Sequence, residues 1–179
     1  MKIHRLYMLR PKELRAIHDS IGGKYSFKER FDRDGNGSPF LYYTGGHPEI
    51  DELNERCVDQ LRINFEEFKN GLMLGITERT EPYIMPLRPE EILSVKIKLQ
   101  DEKVSPRPGS FFNWLLSKKV PLAYARFFAG ASEYEEPKTF FSLHTLEYPI
   151  HAWITADVYK KIKAFFQKSL FKSVLEIEN

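Results

Sequence analysis

The side chains of this chain with chemistry beyond packing are five histidines, one cysteine and a short run of carboxylate and amide groups. His4, His18, His47, His144 and His151 do not repeat, with one another or with Cys57, the close spacing by which imidazole and thiolate surround zinc. His144 and His151 fall on two segments that read as neighbouring strands. Meeting across a sheet, they would be the polar groups of an aromatic-lined pocket, as in a small-ligand carrier or a small enzyme. With no placed nucleophile or carboxylate beside them, packing is the simpler account. Cys57 stands near Glu55 and Asp59, which offer no cation to favour a thiolate, so it reads as a small apolar group on a helix face. Asp32-Arg-Asp34-Gly-Asn36-Gly37-Ser38 alternates oxygen donors as the opening of a calcium loop does, with glycine for the sharp turn. The eighth position is Pro39 and the twelfth is Tyr43 in place of a bidentate glutamate, so a polar turn accounts for it more simply. Gly22-Gly23 and Gly45-Gly46 lack the context of a phosphate loop. No metal, cofactor or catalytic residue is expected.

The remaining suggestive segment is Ser110-Phe-Phe-Asn-Trp114-Leu-Leu-Ser-Lys118-Lys119. Phe111, Phe112 and Trp114 leave almost no polar side on a short helix, and Lys118 and Lys119 follow at once. Rings in a headgroup region with cations meeting anionic lipid have this pattern. A hydrophobic crossover or a subunit contact is the simpler alternative, since six apolar-rich residues are few for a membrane anchor. Residues 94–126 carry seven basic groups against two acidic ones, a local excess that could face an anionic partner. Lys160, Lys161, Lys163, Lys168 and Lys172 read as the solvated face of a terminal helix.

These residues belong to a chain of 179, enough for one domain with an extension and a core that needs no staples. A formal charge of +2 argues against a nucleic-acid binder. The single cysteine excludes an intramolecular disulfide, and the opening residues lack a charged-then-apolar signal, which together point to the cytoplasm. No apolar run approaches the roughly 20 residues of a spanning helix. Aromatic residues make up 14% of the chain, which favours sheets and deep cores.

Pro11, Leu14, Ile17 and Ile21, followed by Gly22-Gly23, predict a helix. Alternation of Tyr25, Phe27 and Phe31 and the return through Phe40–Thr44 predict a β-hairpin. Pro48, Ile50, Leu53 and Cys57 predict a second helix. Residues 59–68 fit helical spacing through Leu61, Phe65 and Phe68 and strand alternation through Leu61, Ile63 and Phe65; the Asn70-Gly71 turn wants strands on both sides, so a strand is expected. Strands follow at Gly71–Thr77, Tyr83–Met85, Ile92–Leu99, Leu122–Ala129, Phe140–Leu146 and Ile150–Ile154. A helix capped by Thr155 and reaching Val174 closes the chain.

Phe68-Lys-Asn-Gly71-Leu-Met-Leu, Met85-Pro-Leu-Arg-Pro-Glu-Glu-Ile92-Leu-Ser-Val and the terminal helix together resemble pleckstrin-homology-like domains of the GRAM and bacterial types, over about residues 60–175. The resemblance implies an α+β fold: a mostly antiparallel barrel or sandwich closed by the C-terminal helix, residues 59–179, with an N-terminal helix, β-hairpin and helix in residues 1–58. It implies a non-enzymatic binding or scaffold module. Family members that grip phosphoinositides place cations at the first hairpin, where this chain has Glu66 and Glu67, so that site is not carried over. A protein partner, self-association or contact with an anionic surface remains, with Phe111, Phe112, Trp114, Lys118 and Lys119 as the surface of interest.

Overall fold

The computed structural model describes residues 2–33, 35–78, 81–100 and 104–178. The chain begins with β1 (His4–Arg5), α1 (Pro11–Ser20), α2 (Phe27–Asp32), β2 (Leu41–Gly45) and α3 (Pro48–Arg56). A meander of β3 (Arg62–Phe68), β4 (Gly71–Glu78) and β5 (Glu81–Leu87) leads into β6 (Ile92–Leu99). An excursion then runs through β7 (Ser105–Pro106), α4 (Phe111–Ser117), α5 (Leu122–Phe128) and β8 (Tyr134–Glu135). It returns to β9 (Lys138–Thr145), β10 (Ile150–Thr155), α6 (Tyr159–Lys168) and β11 (Leu175–Glu178).

Nine of these strands make one sheet in the order β1-β5-β4-β3-β2-β10-β9-β6-β11, antiparallel except where β11 joins β6. The sheet has to be rolled. β5 and β6 stand six strand positions apart, which is about 29 Å in a flat sheet, yet the link from Leu87 to Ile92 reaches at most about 18 Å. Rolling brings the inward residues of β5 (Tyr83, Met85, Leu87) and β6 (Ile92, Val95, Ile97) into one core. α6 lies in the concavity and buries Ile162 and Phe166. The rings of Phe65, Phe141 and Phe166 meet there at centroid separations of 5.2, 5.3 and 5.7 Å.

A second apolar layer covers the convex side of β4 and β5, where Leu14 and Ile17 of α1 and the following Ile21 pack with Phe68, Met73 and Ile84. β4 is therefore apolar on both faces, which is why Leu72-Met73-Leu74 does not alternate. Gly71 is required by this arrangement: a Cβ there would lie 2.6 Å from the Leu87 carbonyl oxygen and 2.9 Å from Ile21 Cγ2.

Four expectations are corrected. The hairpin over Tyr25–Thr44 does not form, because Ser26 starts α2 instead: its hydroxyl accepts from the Glu29 amide, and the Glu29 carboxylate takes the Ser26 N–H. Only the returning strand, β2, exists, and it pairs with β3 and β10, so residues 1–58 supply a strand to the middle of the sheet. The predicted strand over residues 122–129 is instead the helix α5, Leu122–Phe128, with Pro121 at its N-cap and Ala125 and the C-cap Ala129 turned toward α4. The terminal helix is shorter than expected. Thr155 makes no capping bond, a 3₁₀ turn precedes α6, and the chain leaves α6 at Ser169 to add β11. Finally, the sheet is open: among the described residues no ladder joins its two ends, so no closed barrel forms. No described helix is long and apolar enough to cross a membrane.

Candidate functional site

The excursion between β6 and β9 is a small lobe with a core of its own. β7 and β8 pair as a two-stranded ribbon at its base, and the Arg107 amide donates to the Glu133 carbonyl to continue it. Above the ribbon, α4 and α5 enclose Phe112, Leu115 and Ala125, with Leu116, Val120 and Tyr134 around them. Ser110 caps α4 by accepting from the Asn113 amide, and the Glu133 carboxylate accepts from the Phe112 amide at 2.7 Å. Among the described residues, the main core draws none from 100–137.

The outside of this lobe is also aromatic. Phe111 and Trp114 stack three residues apart on α4, with centroids 5.6 Å apart, and Trp114 is 53% exposed. On α5, Tyr124, Phe127 and Phe128 share one face at helical spacing, and Phe127 and Phe128 are 82% and 63% exposed. Of the residues singled out from sequence, Phe111, Trp114, Lys118 and Lys119 are therefore on the surface, whereas Phe112 is in the lobe's core. Tyr124, Phe127 and Phe128 escape sequence reasoning because the aromatic content of this run favours a strand, although their i, i+3, i+4 spacing is itself helical.

His144 and His151 are brought together as expected, on the outward face of β9 and β10, with ring centroids 6.1 Å apart. The Ser142 hydroxyl lies 2.9 Å from His151 Nδ1. Burial, and secondarily His144, hold the His151 imidazolium below its ordinary range. Asp51, the acid whose charge reaches His151, accepts instead from the Tyr43 hydroxyl at 2.7 Å. That hydroxyl in turn accepts from the His47 amide at 2.9 Å, and burial raises its pKa. His47 is 2% exposed, its ring meets Tyr148 edge-on, and neither ring nitrogen has a hydrogen-bond partner. Burial lowers its pKa. The tight turn that seats it passes through Gly46, at φ +116, where a Cβ would lie 2.4 Å from the Pro149 carbonyl oxygen.

The calcium look-alike is used differently. Asp32 ends α2, Asp34 lies outside the described residues, and the Asn36 amide donates to Glu66 Oε1 and to the Glu67 carbonyl. Arg33, between the two aspartates, reaches Glu67 Oε2 at 2.6 Å and covers the Tyr25 ring. The other oxygen of Glu67 accepts from the Leu170 amide at 2.9 Å. One buried carboxylate thus ties the loop after α2, strand β3 and the end of α6. Among the described residues no three histidine, cysteine or acidic groups converge as a metal site would require.

No family model, curated protein or solved structure matches this chain.

Proposed function

We propose that this chain is a non-enzymatic binding module whose contact surface is the α4–α5 lobe. The observation that carries the reading is the lobe's double amphipathicity: after Phe112, Leu115 and Ala125 fill its interior, Phe111, Trp114, Tyr124, Phe127 and Phe128 still face solvent. Isolated exposed rings are ordinary, but five on two short helices mark an interaction surface. The sheet supports the lobe as a scaffold does, since the lobe is inserted between two adjacent strands and, among the described residues, takes nothing from the main core.

A pleckstrin-homology-like character is part of this proposal. Its support is the succession β2-β3-β4-β5 and β6-β9-β10, with β2 paired to β10, the gap between β5 and β6, and α6 seated in the roll. On this counting β2 is the first strand, so Glu66 and Glu67 lie on the second hairpin and α3 occupies the first connection. Buried Glu67 is a tie within the fold.

The test uses Trp153→Phe, which leaves Trp114 as the one tryptophan and keeps a ring against Tyr42. Its emission is followed while the protein is concentrated and while it is titrated with lipid vesicles. Engagement of the lobe moves the emission to the blue in at least one arm, and Phe127→Ser with Phe128→Ser abolishes the shift. Emission unmoved in every arm overturns the reading.

A further inference from the structure

We infer that the lobe docks on an anionic lipid bilayer; this rests on the lobe being the contact surface. Residues 104–130 contain four cations, Arg107, Lys118, Lys119 and Arg126, and no carboxylate, the lobe's Glu133, Glu135 and Glu136 lying at its base around β8. Arg126 is held by Glu136, while Arg107, Lys118 and Lys119 are exposed. Lys118 and Lys119 form the turn joining α4 to α5. Lys119 sits at φ 62, a left-handed conformation that glycine adopts without strain, so turn geometry does not call for lysine there. A cation at the tip of a hairpin flanked by exposed rings is what a headgroup layer favours, with rings at the acyl boundary and ammonium groups among phosphates.

The charge continues beyond the lobe. Residues 158–175 hold five lysines and again no carboxylate. Lys160 of α6 and Arg126 of the lobe line one cleft of about 670 Å³ at the lobe's base, together with Glu136 and Asp157. With the whole chain at +2, these nine cations leave −7 on the remainder. An anionic surface therefore attracts these two segments and repels the rest of the chain.

Full-length protein is pelleted with vesicles of phosphatidylcholine alone and of phosphatidylcholine with phosphatidylglycerol, at about 0.1 M salt, where charges beyond roughly 10 Å are screened. Partition onto the anionic vesicles is expected to exceed that onto the neutral ones at least tenfold and to fall as salt is raised. Lys118→Gln with Lys119→Gln should lower it by roughly fivefold per lysine. Phe127→Ser with Phe128→Ser should lower it at least as much. Both pairs are exposed, so an unchanged melting temperature verifies that each variant is folded. Equal partition onto neutral vesicles, or none onto either, overturns the lipid inference. If vesicles fail while Trp114 still shifts on self-association, the lobe stands as a contact surface and the bilayer does not. If Trp114 moves in no arm, both fall.

Discussion

The rolled sheet and the lobe draw on the same residue types and place them oppositely. In the sheet, Phe65, Phe141 and Phe166 are sealed against one another, and strand alternation sends polar groups outward. In the lobe, seven-residue helices bury Phe112, Leu115 and Ala125 and turn five rings outward, Phe111, Trp114, Tyr124, Phe127 and Phe128. Alternation along a strand gives each residue one face, whereas a short helix with apolar groups at every spacing has to expose some of them. The lobe thus leaves in water the kind of surface that the sheet buries, and it joins the sheet beside the β7–β8 ribbon.

The same truncation in the two cores breaks the comparison most sharply. Phe166→Ala removes the ring that joins α6 to β3 and β9, and should cost about 3–5 kcal/mol of global stability, read from denaturant unfolding. Phe112→Ala should leave the main transition close to its place while amide exchange across 111–128 loses protection, because the lobe opens by itself. A global loss for Phe112→Ala as large as that for Phe166→Ala would show the two cores to be one.

The Glu67 tie is the next largest expected effect. Its side chain is 4% exposed, while that of Arg33 is 34% exposed, so the pair is only partly desolvated. Glu67→Ala strands Arg33 and the Leu170 amide together and should cost about 2–4 kcal/mol. Arg33→Ala should cost less, since the carboxylate keeps Leu170. Equal effects would mean that the ion pair, and not the amide bond, holds the end of α6.

What could be read from the sequence divides along the same line. β3, β4, β6, β9, β10 and α3 were legible because each buries one face, or both, against a large core that enforces the pattern. Phe27–Asp32 misled because ring alternation outweighed Ser26 and Glu29, a capping box visible in the sequence. Leu122–Phe128 misled because aromatic content suggests a strand wherever the partner surface is small. The exposure of Phe111 and Trp114 was not legible, because a short apolar run followed by cations fits a surface segment and a buried crossover alike. The placement of β2 between β3 and β10 was not legible either, since pairing between strands over a hundred residues apart leaves no local trace.

The smallest expected effect is a pH dependence, and it belongs to the sheet side alone. Burial lowers the pKa of His18, His47 and His151 below the ordinary 6.5, and His47 is the most enclosed of the three. The folded chain therefore refuses a proton that the unfolded chain accepts. Stability is full above 6.5, falls as pH drops through that value, and levels off only below the depressed folded-state pKa. Each histidine contributes at most about 1.4 kcal/mol per pH unit, less for His18 and His151, which are partly solvated. Glu29, held low by the Ser26 hydroxyl and amide, adds its own loss only as pH approaches the carboxylate range, so the two windows separate. His47→Phe keeps an aromatic edge for Tyr148 and removes the titrating group. Its melting temperature, followed from neutral pH down to the top of the carboxylate range, should fall less steeply than that of the parent chain. Parallel slopes would assign the acid loss to groups other than His47. Exchange protection of the lobe should not follow the histidine titration in either protein, because no histidine lies between 104 and 137.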